Sequence, residues 1–129
     1  MNEKIIHESY AQEIGQHLQA RIKRNGGEIY IKDVITEAKF CLVANTIISQ
    51  RKLKEQTDGQ MLILDPLTME YSFEGMRKAL NNLLMNKFTE AHLEQVKIGY
   101  ENLLAEDNVV DLINNHYNDL YPNLSNNVL

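Results

Sequence analysis

The stretch from Lys39 to Gln56, KFCLVANTIISQRKLKEQ, constrains the fold more than any other part of the chain. From Phe40 to Ile48 the apolar character runs nearly all round a helical projection. A helix there has no polar side wide enough to face water, so it must cross the middle of a core. At Arg51 the stretch turns abruptly basic. Two architectures accommodate that change. In the first, residues 32–56 form one helix. Val34, Ile35, Ala38, Cys41, Leu42, Ile48 and Leu53 mark its apolar side, and the bases sit in a solvated last turn that complements the helix dipole. In the second, IKDVITEAK is the supporting helix of a helix-turn-helix that turns near residues 40–43. Asn45, Thr46, Ser49, Gln50, Arg51 and Lys52 then lie on a recognition helix, facing base edges and phosphates. The expected turn has no Gly, Asn or Asp, and Arg51 stands where that motif wants Leu. One continuous helix satisfies the same residues without a special turn and is the preferred reading.

The flanks are organised around this segment. Ile6, Tyr10, Ile14, Leu18 and Ile22 recur every four residues, which predicts an amphipathic helix over residues 3–24. Asn25-Gly26-Gly27 ends it. Glu28 to Ile31 (EIYI) and Met61 to Leu64 (MLIL) are short, β-branched or apolar, and read as strands. Asp65-Pro66 starts a turn, and Met69 to Phe73 (MEYSF) is either a return strand or the first turn of the next helix. From about Phe73 the chain is helical, with a stripe of Met76, Leu80, Leu83 and Leu84. Thr89 is an N-cap for a helix whose core side is Leu93, Val96, Tyr100, Leu103 and Leu104. Asp107 is placed to cap a last helix with Val109, Val110, Ile113, Tyr117 and Leu120 inward, ended by Pro122. The expected fold is mainly α with a small β element, an α+β arrangement of four to five helices and a two- or three-stranded antiparallel hairpin, winged-helix-like in outline. The 129 residues suit a single domain. Residues 122–129 read as a tail that is flexible or ordered by a partner.

Charge is divided along the chain. Net charge is −5, yet the segment 21–54 holds eight bases against three acids, and from Glu90 onward Lys97 alone opposes seven acids. The basic segment suits phosphate, while the chain's overall field repels it. The acidic end suits a basic protein surface.

Little in the sequence points to catalysis. The single cysteine, Cys41, lies in the most apolar run and cannot form an internal disulfide, which fits a small buried hydrophobe in a reducing compartment. None of His7, His17, His92 and His116 is spaced from Cys41 as a metal motif would be. Glu13 and His17 share a helix face four residues apart, but the sequence offers no second half of a site. There is no phosphate loop and no nucleophile elbow. No catalytic residue, metal or cofactor is expected.

The favoured functional expectation is a small non-enzymatic interaction module that inhibits, regulates or assembles a larger protein partner. Its interface would combine Glu101, Glu106, Asp107 and Asp111 with the anchors Tyr117, Leu120 and Tyr121. The alternative is a winged-helix DNA-binding regulator using segment 21–54. The short, acidic, Asn- and Ile-rich composition suits a phage or mobile-element product, located in the cytoplasm, or the host cytoplasm if viral. No membrane contact is expected, and homo-oligomerisation is left open.

Overall fold

Five α-helices run in the order α1 (Glu3–Arg24), α2 (Ile31–Gln56), α3 (Pro66–Leu83), α4 (Glu90–Leu104) and α5 (Val109–Leu120). The computed structural model describes residues 3–56, 66–122 and 128–129. Helix α1 packs most extensively on α3, and α2 on α4, while α5 lies against α1.

Each boundary has a local cause. Tyr10, Ile14 and Leu18 are buried along one side of α1. The helix closes in a Schellman arrangement: Gly27 N–H donates to the Ile22 carbonyl at 2.9 Å and Gly26 N–H to the Lys23 carbonyl at 3.3 Å. Both glycines have positive φ, 76° and 107°, where a β-carbon would be strained. Helix α3 begins at Pro66, whose missing N–H costs nothing in a first turn. It stops where Met85 and Asn86 both enter the left-handed region, at φ 55° and 66°. Helix α4 opens with a reciprocal cap in which Thr89 Oγ1 accepts from the His92 N–H and His92 Nδ1 accepts from the Thr89 N–H.

Helix α2 is continuous over 26 residues. Ala38, Cys41, Leu42, Val43, Ala44 and Ile47 are all buried. The segment has apolar neighbours on more than one side, which removes any reason to break it. The proposed turn at residues 40–43 lies in mid-helix, and the winged-helix outline is thereby corrected. The expected β element is corrected as well, since no strand occurs among the described residues. Glu28 to Tyr30 lead into α2, and Ile31 is its first residue. Met69 to Phe73 lie inside α3. Met61 to Leu64 fall outside the described residues. A β-rich tetrapeptide has no ladder to join without a partner strand, so packing overrides its propensity. A smaller correction concerns α5. Asn108, not Asp107, occupies the N-cap position, and its side chain makes no capping hydrogen bond.

The core joins Ile14 and Leu18 of α1, Val34 to Ile47 of α2, Phe73, Met76 and Leu80 of α3, Val96 and Tyr100 of α4, and Ile113, Tyr117 and Leu120 of α5. A polar bolt runs through it. Glu37 is fully buried, accepts from Arg21 Nε at 3.2 Å and Nη2 at 2.7 Å, and lies 3.0 Å from His116 Nε2. The His116 ring stacks on Phe40 at 3.9 Å between centroids. This network ties α1, α2 and α5 together.

Candidate functional site

The residues singled out in the sequence divide into inner and outer sets. Glu101, Glu106, Asp107 and Asp111 are exposed. Tyr117 and Leu120 are 2% and 4% exposed, so they anchor the core and do not stand beside those acids on a surface. Tyr121 is half-buried. Of the six residues assigned to DNA contact, Thr46 is buried, donating to the Leu42 carbonyl and bonded to the Tyr100 hydroxyl at 2.9 Å. Asn45 is half-buried and turned toward α1. Ser49, Gln50, Arg51 and Lys52 are exposed on the last turns of α2. Three of the eight bases in the basic segment have partners within the fold. Arg21 serves Glu37, Arg24 pairs with Asp119 at 2.6 Å, and the Lys39 stem lies over Gly99 with its ammonium 5.6 Å from the Phe40 ring centre.

A pocket of about 530 Å³ opens beside the polar bolt. Helix α1 contributes Glu13, Gln16 and His17, and α2 contributes Ala44, Asn45 and Ile48. Tyr117 and Tyr121 close it from the end of α5, joined by Val128. The chain end is held nearby: the Asn114 side chain accepts from the Leu129 N–H at 2.8 Å and donates to the Leu129 carbonyl at 3.1 Å. Most of the lining is apolar, but its polar groups converge. Asn45 Nδ2 reaches both Glu13 oxygens at 3.2 and 3.3 Å and the Cys41 carbonyl at 3.0 Å. His17 Nδ1 lies 2.6 Å from the Tyr121 hydroxyl, and His17 Nε2 lies 3.9 Å from Glu13 Oε1. The Cys41 Sγ completes a group with Glu13 and His17 whose ligand atoms all lie within 4.8 Å of one another.

The electrostatics of these groups are unequal. Burial pushes the Glu13 carboxyl up, but hydrogen bonds from His17, Asn45 and Cys41 outweigh it and hold the group below its ordinary value. Glu13 is therefore a carboxylate at neutral pH. Burial, reinforced by that carboxylate, pushes the Cys41 thiol well up, so without a ligand the sulfur keeps its proton and is a poor nucleophile. The Tyr117 hydroxyl is raised too, by burial first and then by the nearby Cys41, Glu37 and Glu13. Among the described residues it is the buried side-chain polar atom left without a hydrogen-bond partner.

The sequence showed half of this site. Glu13 and His17 stand one helical turn apart. Their third partner lies on α2 and carries no local mark, because Cys41 reads as core in the sequence and is core in the fold. Comparison with known proteins adds no relative: no family model, no curated protein and no solved structure matches the chain.

Proposed function

We propose that the chain is a small binding protein whose pocket between α1, α2 and the end of α5 receives a cationic ligand. One observation carries this reading. Glu13 holds a negative charge in a largely apolar pocket where, among the described lining residues, there is no lysine or arginine and His17 Nε2, 3.9 Å away, is the nearest basic group. A carboxylate partly withdrawn from water is stabilised by a counter-charge. Neutral donors from Asn45 supply hydrogen bonds here but no charge. Tyr121, half-buried at the pocket wall, adds an aromatic ring of the kind that attracts a cation. Concave, mostly apolar sites with a few convergent polar groups are the usual form of a small-ligand site.

The test is a titration of isotope-labelled protein with tetramethylammonium and, separately, with acetate, followed by NMR. Saturable shifts of the Tyr117, Tyr121 and His17 resonances with the cation, absent with the anion and lost in Glu13→Gln, are expected. Equal response to both ions, or no saturable response, overturns the reading.

A protein partner on the acidic side is a second reading, supported by the outer face of α4. Ile98 is 52% exposed there, and Glu94 and Glu101 flank it at one-turn spacing. An apolar contact between acids suits a basic protein groove, with charge setting the encounter rate. In this reading the anchor is Ile98, in place of Tyr117 and Leu120. Ile98→Arg should abolish capture of the partner from a host lysate, and undiminished capture removes α4 from consideration.

A further inference from the structure

We infer that the floor of the pocket is a divalent transition-metal site, with Glu13, His17 and Cys41 as its protein ligands and zinc as the best-matched ion. This rests on the cationic-ligand reading and names the cation. The donors supply one oxygen, one nitrogen and one sulfur, all within 4.8 Å of one another. A carboxylate, an imidazole and a thiolate together suit a borderline ion such as Zn²⁺. Hard ions such as Ca²⁺ and Mg²⁺ prefer oxygen alone.

Tetrahedral zinc bonds of about 2.0–2.3 Å place donors roughly 3.3–3.6 Å apart, so the present spread closes with about 1 Å of side-chain movement. Two ligands come from adjacent turns of one helix and the third from the helix packed against it. Rigid elements therefore set the geometry.

The surrounding contacts are those a ligand set needs. On metal binding the His17 ring changes tautomer: Nδ1 carries the proton and donates to the Tyr121 hydroxyl, and Nε2 gives up its contact with Glu13 and turns its lone pair to the metal. Asn45 fixes the Glu13 carboxylate and the Cys41 main chain with one amide group. On binding, the Cys41 S–H bond breaks, a sulfur–metal bond forms, and the proton leaves to solvent. Three protein ligands leave a fourth position open, and Glu13 and His17 themselves line the pocket, so that position faces it. The Tyr117 side chain contributes to the same pocket wall, and its hydroxyl is buried and unpartnered behind it.

The experiment uses the full chain with Co²⁺ as a spectroscopic probe and Zn²⁺ as competitor, beside the tetramethylammonium titration. Expected are thiolate-to-cobalt charge transfer in the near ultraviolet, intense tetrahedral bands in the visible, and loss of both when Zn²⁺ is added. Cys41→Ala should remove the charge-transfer band. Because that change opens the core, Tyr121→Phe serves as a second variant. It keeps the ring and all three ligands, and should weaken Zn²⁺ binding by about 10-fold or more, the usual effect of losing an outer partner of a ligand histidine. Folded wild-type protein that shows no thiolate charge transfer overturns the metal assignment. If tetramethylammonium still binds in that case, the pocket reading survives without the metal, and if neither cation binds, both fall. A charge-transfer band that persists in Cys41→Ala, or Zn²⁺ affinity unchanged in Tyr121→Phe, also overturns the site as assigned.

Discussion

Breaking the buried ion pair between Arg21 and Glu37 should expose how the three helices are held. The two possible single truncations leave different orphans. In Arg21→Leu, a carboxylate with no solvent exposure retains, among the described residues, His116 at 3.0 Å. In Glu37→Leu, a guanidinium that is 14% exposed keeps a second acid, Asp33, at 3.9 Å. Removing one member of a buried pair costs about 3–5 kcal/mol, most of it the penalty on the charge left behind. The better-buried orphan should sit at the top of that range, so Arg21→Leu should be the worse variant. The double variant Arg21→Leu/Glu37→Leu leaves neither charge and should recover most of the loss, because apolar replacements of similar size often match a buried pair. Urea unfolding followed by far-ultraviolet circular dichroism gives the readout. With a slope of about 2 kcal/mol/M, a 4 kcal/mol loss lowers the midpoint by about 2 M. Single variants within 1 kcal/mol of wild type, or a double variant as unstable as the sum of the singles, would refute the reasoning.

Leu42→Ala should cost about 2–5 kcal/mol in the same assay, since Leu42 is 1% exposed and its neighbours are packed. Ile48→Ala should cost clearly less, because Ile48 is half-buried at the pocket wall where water can fill the space. Burial pushes the Tyr10 hydroxyl up to about 12 against 10.0 for the free group. Between those values the unfolded chain loses a proton that the folded one keeps, so stability falls as pH rises, by about 1.4 kcal/mol per pH unit. Tyr10→Phe should flatten that slope in alkaline unfolding curves, and an unchanged slope would mean Tyr10 ionises as freely folded as unfolded. Thr89→Ala should cost about 1 kcal/mol, because it removes one half of the α4 cap and leaves the His92 N–H unpaired.

How much of this was legible follows from the range of each interaction. Helices α1, α2 and α4 could be read directly, because their signals are local: four-residue apolar spacing, the Asn25-Gly26-Gly27 stop, and the Thr89 cap. The continuous α2 followed from burial all round residues 40–48. The misread segments were those where propensity and context disagree. EIYI favours a strand only if another strand lies beside it, and MEYSF alternates as well as it spirals. Asp107 is a strong capping residue one position too early for the turn that forms. The pocket was illegible for a different reason. Tyr117 and Leu120 were correctly placed on the inner side of α5, and were then also counted as surface anchors, two roles that one side chain cannot fill. Glu13, His17 and Cys41 meet only through the packing of α1 on α2, which no spacing rule encodes.

The pairing of α1 with α3 and α2 with α4 bears on how the chain is made. Sequence neighbours are not the main packing partners, so an early α1–α2 hairpin covers only part of its apolar faces. A ribosome adding about 5–20 residues per second needs roughly 3–12 s to go from the end of α1 to the end of α3, about 60 residues later. Throughout that interval α1 lacks its principal packing partner, and the apolar run of α2 emerges before α4 exists to receive it. The nascent chain is therefore a natural client for holding chaperones. Its native contacts should form late and together, since the two helix pairs alternate in chain order.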